Sequence, residues 1–141
     1  MPLDAAPEPL SAGRLRATIV GDVEFGSPRG DFSPEFVALP DSGDELRRVA
    51  AVWEDRGLAH ATRLTGDAAT VEEVAELLQR SQVVHLATHL IGEQREAHSG
   101  PAIGSRRAFR SLESAGIALS GANANDRNVL RGSRISLLPL N

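Results

Sequence analysis

Short β-branched runs alternate with amphipathic helical segments along this chain, and that alternation strongly limits the folds it can adopt. Residues 16–22 and 81–89 are typical of buried strands, and residues 60–64 form a weaker strand pattern. The segments between them, near residues 41–57 and 70–80, have helical periodicity. Strands that alternate with helices favour a mostly parallel sheet. The sequence therefore predicts an α/β fold with helices flanking that sheet.

Both helices carry recognisable start and stop signals. Asp41, Ser42 or Asp44 can cap the first helix, and Gly57 is placed to end it. Thr70 is the predicted N-cap of the second helix, with Glu73 three residues later as in a capping box. Apolar residues at helical spacing give each helix one face for the core: Leu46, Val49, Ala50 and Trp53 in the first, and Val71, Val74, Leu77 and Leu78 in the second.

Outside residues 16–89 the sequence patterns that indicate strands and helices are weaker. Residues 1–15 contain three prolines and few large apolar side chains, so we expect a flexible lead-in or linker before one domain at residues 16–141. Residues 114–121 resemble a further strand. The tail from Val129 has the apolar pattern of a helix broken at Pro139.

Composition excludes several classes of function. The 141 residues contain no cysteine, so the chain has neither disulfides nor a thiol nucleophile of its own. All 15 basic residues are arginine, which excludes lysine Schiff-base chemistry and an ordinary P-loop. The formal net charge of −4 gives no general attraction to nucleic acid or to an anionic membrane.

Localisation and cofactors follow from the same negative signals. The first residues lack the pattern of a signal peptide, and no apolar run approaches the roughly 20 residues that span a bilayer. We therefore expect a cytoplasmic protein without a membrane segment. No glycine-rich dinucleotide fingerprint follows a strand, and no metal or cofactor site is predicted.

Polar residues at the ends of predicted strands are the candidates for chemistry, since ligands of open α/β sheets bind beyond the carboxyl ends of the strands. His89 closes the run 81–89, which we expect to be a central strand, and an imidazole at that rim is suited to proton transfer. The alternative is a partly buried histidine bonded to backbone. Asp22 and Thr88 are candidates for lining the same site, although Asp22 also suits a turn cap. His85 is interpreted as structural, because in a strand it lies roughly 13 Å from His89.

The run Val83–His89 resembles the histidine strand of the CHAT domain family, the caspase-like domains often found with TPR repeats. That family has an apolar pair followed by His-Leu-Ala-Thr-His-Gly. Weaker similarities occur in the same order along the chain, so the resemblance spans residues 16–138. They are Ile19–Asp22, Leu39-Pro40 with Asp44–Leu46, Leu64–Thr70, and Leu119–Asn123.

The resemblance implies a caspase–hemoglobinase fold and cysteine-peptidase chemistry. His89 matches the histidine that activates a cysteine thiol for attack on a peptide bond. The family cysteine follows on a later strand, in a Leu-Ser-Ala-Cys-like motif that this sequence lacks, so the fold is expected to be incomplete at its C-terminal end and inactive alone. Leu90 stands where the family has a glycine whose N–H serves the oxyanion hole.

Three hypotheses of function remain open. The first is the histidine-bearing part of a CHAT peptidase, whose partner is a peptide and a second chain or segment carrying the cysteine. The second is a pseudoenzyme: a non-catalytic caspase-like module that binds proteins, TPR-type partners included. The third is a small-molecule site at the strand rim, lined by Asp22 and His89.

Overall fold

The computed structural model describes residues 15–28, 35–57, 61–92 and 112–139. Within them the chain forms the strands β1 (Ala17–Val23), β2 (Thr62–Gly66) and β3 (Val83–Leu86), which alternate with the helices α1 (Ser42–Asp55) and α2 (Val71–Arg80). The strands β4 (Leu90–Ile91), β5 (Gly116–Ala118) and β6 (Val129–Arg131) follow, and the short helix α3 (Gly132–Ser136) comes after β6. The predicted α/β alternation is confirmed for residues 17–86.

The first three strands form a parallel sheet in the order β2-β1-β3. Since side chains alternate along a strand, Ile19 and Val20 of β1 point to opposite faces. Ile19 packs with Leu46 and Ala50 of α1. Val20 lies in the larger core cluster with Val74 of α2. The two helices therefore cover opposite faces of the sheet.

Helix boundaries follow the predicted signals in most details. Thr70 caps α2, and its hydroxyl oxygen accepts the backbone N–H of Glu73 at 3.2 Å. Gly57 follows α1 with a positive φ of 67°, a conformation that glycine adopts at little cost. Asp41 is the N-cap of α1 but makes no side-chain capping bond. The Ser42 hydroxyl instead donates to the Leu39 carbonyl and accepts the Asp22 N–H.

The strands after residue 89 form a separate antiparallel sheet in the order β4-β5-β6. Its Ile117 and Leu130, with Leu119 directly after β5, join the same core cluster as α2. The parallel sheet therefore does not continue into this part of the described chain. The tail was predicted to be helical from Val129, and this is wrong for Val129–Arg131, which pair with β5 before a helix begins.

The predicted central position of the histidine strand is wrong within the described residues. There β1 is the central strand, and β3 pairs with β1 alone. Val83 and Ala87 direct their backbone N–H groups to β1. Because alternate residues of a parallel strand bond to opposite sides, Val84 and Leu86 direct their N–H and C=O groups away from β1. None of the described helices has the length and apolar character required to cross a membrane.

Candidate functional site around His89

His89 lies in the short connection between β3 and β4, three residues beyond the last residue of β3. Two hydrogen bonds fix the backbone around it to β5. The Thr88 hydroxyl donates to the Ala118 carbonyl at 2.7 Å, and the Ala118 N–H donates to the His89 carbonyl at 3.0 Å. Thr88 thus anchors the turn that presents the imidazole. His89 is half-buried, neither deep in the core nor on a helix.

The imidazole ring is held from two further sides. Its centroid lies 5.2 Å from that of Phe25 and 5.6 Å from that of Phe36, in tilted contacts. Both phenylalanines are buried, and their own rings are 5.8 Å apart. Separations of this size are those of favourable aromatic pairs. The three rings therefore form a small cluster that restricts the orientation of His89.

A hydrogen bond determines which ring nitrogen of His89 carries the proton. Nε2 of His89 lies 2.7 Å from the backbone carbonyl oxygen of Val37. A carbonyl oxygen only accepts, so Nε2 carries the proton and donates it. In neutral histidine the lone pair is then on Nδ1, which is the nitrogen able to take a proton from a nucleophile. The Val37 carbonyl also faces any positive charge that the ring acquires.

Leu90 adopts an ordinary strand conformation, since Asp22 is the one non-glycine residue with positive φ in the described part of the chain. Leu90 is opposite Ile117, while the neighbouring pair His89 and Ala118 carries the ladder hydrogen bond. In an antiparallel ladder this alternation points the Leu90 N–H away from β5. Its side chain is 80% exposed. The position can therefore offer a backbone donor without a glycine-only backbone.

Asp22 is located inside β1, not beyond its end. Its φ of 50° falls where the register with β2 shifts between Val20 and Val23, as in a β-bulge. Its N–H donates to Ser42, and its carboxylate lies beside Gly43 in the first turn of α1. An anionic group is favourable near a helix N-terminus. This environment fits the turn-capping interpretation of Asp22.

His85 and the nearby cavity belong to the α1 side of the sheet. Nε2 of His85 is 2.9 Å from Oε1 of Glu45, which links β3 to α1. A cavity of about 350 Å³ lies between the 39–42 segment and the end of β3, and Thr88 and Glu45 line it. Neither Asp22 nor His89 is among its lining residues. The predicted rim pocket combining those two residues is therefore not this cavity. His60 and His98 lie outside the described residues.

Sequence reasoning identified His89 but missed the groups that hold it. Phe25 and Phe36 occur within residues 24–43, where several glycines and prolines predict only a loop. The Val37 contact is made by a backbone oxygen, which leaves no mark in the sequence. The available signal was the presence of large aromatic residues in a loop, since exposed loops rarely need them.

Comparison with known proteins agrees with the family resemblance. The sequence profile of the CHAT domain matches residues 5–141, which is nearly the whole chain. No curated protein matches it. A profile match of this extent establishes the family, whose domains are caspase-like. The chain belongs to the CHAT domain family.

Proposed function

We propose that this chain supplies the histidine half of a caspase-type His/Cys dyad, with the thiol carried by a polypeptide segment outside these 141 residues. The supporting observation is the bond from Nε2 of His89 to the Val37 carbonyl, which leaves Nδ1 as the proton acceptor. The outward-facing backbone of Val84 and Leu86 supports the same proposal. A strand that pairs there would lie beside the strand that leads to His89.

The chemistry follows from that placement. A cysteine S–H transfers its proton to Nδ1, and the thiolate attacks the carbonyl carbon of a peptide bond. As the C–S bond forms, the carbonyl π electrons move to oxygen, where backbone N–H groups such as that of Leu90 stabilise the charge. The imidazolium then gives its proton to the leaving amine as the C–N bond breaks. Water hydrolyses the acyl-enzyme and restores the thiol.

Peptide cleavage after complementation tests this proposal. The chain is extended with a cysteine-bearing strand from a CHAT domain, and hydrolysis of a fluorogenic peptide library is measured. We expect cleavage that needs both the added cysteine and His89, and that His89→Ala abolishes. His85→Ala is the matched control, because it removes a histidine four residues away on β3 and should leave most of the activity. Cleavage that survives His89→Ala would exclude His89 from the mechanism.

A non-catalytic interaction module is the second candidate, and one observation favours it. Leu90 follows His89 in sequence and is 80% exposed, and Val37, whose carbonyl oxygen bonds to the His89 ring, is 62% exposed. Exposed apolar residues close together often mark a protein-binding surface. If the complemented protein cleaves nothing, and Leu90→Ser weakens binding to a CHAT-associated TPR protein while His89→Ala does not, this candidate replaces the first.

A further inference from the structure

Asn123 is a buried amide at the turn after β5, with only 4% of its surface exposed. Its side chain makes three hydrogen bonds, all to backbone groups of distant segments. Oδ1 accepts the Phe36 N–H at 2.6 Å, and Nδ2 donates to the carbonyls of Gly26 at 2.9 Å and Phe36 at 2.8 Å. Its own N–H donates to the Phe25 carbonyl at 2.9 Å. Asn123 thus joins the segments 25–26 and 36–37.

Those two segments carry the groups that hold the His89 ring. Phe25 and Phe36 contribute the two aromatic contacts, and Val37, the next residue, contributes the carbonyl that accepts the Nε2 proton. The segments are remote from β5 in sequence, and Asn123 bonds to both of them. The Asn123 side chain is thus bonded to the same backbone segments that contact the imidazole.

We propose that Asn123 is a positioning residue for His89. Through its bonds to Phe36 it fixes the neighbouring Val37 carbonyl, and that carbonyl holds the imidazole ring with Nδ1 free. The catalytic meaning of this inference rests on the proposed function, but the positioning itself does not. An amide is required because the site presents one donor and two acceptors at once. An aspartate could still accept the Phe36 N–H, yet its carboxylate would face two carbonyl oxygens with no proton to donate.

The test follows the His89 ring proton by NMR in the intact chain. A hydrogen-bonded Nε2–H exchanges slowly enough to be observed, whereas a free imidazole N–H does not. In Asn123→Asp we expect the Nε2–H signal to disappear, or its exchange to accelerate about fivefold, as expected when a hydrogen bond of ordinary net strength is lost. Phe25 and Phe36 ring-current shifts on the His89 carbon-bound protons should shrink in the same variant.

Asn128→Asp is the matched control. Asn128 lies in the same turn region, and its Nδ2 donates to the Gly121 carbonyl at 3.0 Å, so the substitution loses a comparable bond and adds the same charge. It should leave the His89 ring signals in place. Equal loss of those signals in both variants would overturn the proposal, since Asn123 would then act through general stability. Retention of the signal in Asn123→Asp would overturn it as well.

A measurement on the unsubstituted chain covers the case in which Asn123→Asp fails to fold. If Asn123 holds the site closed, its Nδ2 protons and the His89 Nε2 proton exchange through one opening event, with protection that agrees within about threefold. Protection of the His89 proton more than about threefold lower than that of the Asn123 protons would contradict the proposal. Failure of peptide cleavage in the complemented protein, with these signals intact, would overturn the proposed function and leave the positioning standing.

Discussion

Replacing Gly21 with alanine tests how closely α1 packs against the parallel sheet near the site. Gly21 does not have positive φ, so the added methyl group meets a purely steric obstacle. Its Cβ would lie 3.1 Å from Cδ1 of Leu46, 3.3 Å from the Ser42 carbonyl oxygen and 3.4 Å from Cβ of Ala87. Leu46 is buried, so the helix or its side chain has to give by a few tenths of an ångström.

Two opposing terms set the size of the effect. Overpacking a close-packed core costs about 1–3 kcal/mol. Alanine also reduces the freedom of the unfolded chain, which offsets about 0.4–1 kcal/mol. We therefore expect Gly21→Ala to lower the free energy of unfolding by up to about 2.6 kcal/mol, and by about 1–3 kcal/mol relative to a glycine-to-alanine change without the steric cost, measured by urea denaturation followed by circular dichroism. The midpoint of thermal unfolding should fall by about 4 °C for each kcal/mol.

Gly92→Ala is the matched control for that prediction. Gly92 has no positive φ, and none of the described residues places a heavy atom within 4 Å of an added Cβ. Replacing Gly92 with alanine also reduces the freedom of the unfolded chain but adds no steric cost. The free energy of unfolding should therefore stay constant or rise by up to about 1 kcal/mol. If Gly21→Ala were as stable as Gly92→Ala, the close approach of α1 to β1 would be wrong.

Three further experiments test other parts of the fold. Thr70→Ala should cost about 1 kcal/mol in urea denaturation, because the hydroxyl that accepts the Glu73 N–H is lost, and no loss would refute the cap. A double-mutant cycle on the half-exposed pair His85 and Glu45, run at a pH where the imidazole is protonated, should give a coupling of about 0.2–1 kcal/mol that weakens with added salt, and a salt-independent value would refute an ionic contact. Leu119→Ala should cost about 2–5 kcal/mol, since Leu119 is fully buried, and a cost below about 1 kcal/mol would show a looser core.

Local features of this fold could be predicted from the sequence because short-range physics decides them. The apolar spacing of α2 and the Thr70 cap depend on residues within one or two turns of each other. The same is true of Gly57, whose positive φ suits glycine alone among nearby residues. The placement of His89 just beyond β3 also follows from a local pattern, the end of an apolar run.

Features set by distant partners could not be predicted in this way. Val129 and Leu130 were expected in a helix, but pairing with β5 makes them a strand. The position of β3 depends on its register with β1, which no local pattern specifies. At the site, Asn123 lies in a stretch of small residues, 121–124, that predicts only a turn. Its three bonds to residues 87 to 97 positions away are visible only in the fold.

The central claim is that His89 serves as the base for a cysteine thiol. Its most direct test is whether His89 lowers the pKa of that thiol. In the cysteine-extended chain, the rate of cysteine alkylation by iodoacetamide is measured against pH, with and without His89→Ala. An isolated thiol has a pKa of about 8.5, and an imidazolium partner commonly brings it to about 6.5 or lower.

At about pH 6 that lower pKa raises the fraction of thiolate roughly 75-fold. The less basic thiolate is also a weaker nucleophile, which lowers its alkylation rate about eightfold. We predict that the cysteine reacts about tenfold faster at this pH with His89 present than in His89→Ala, from those two terms. Identical alkylation profiles in the two proteins would contradict the account, because the imidazole would then exert no influence on the thiol.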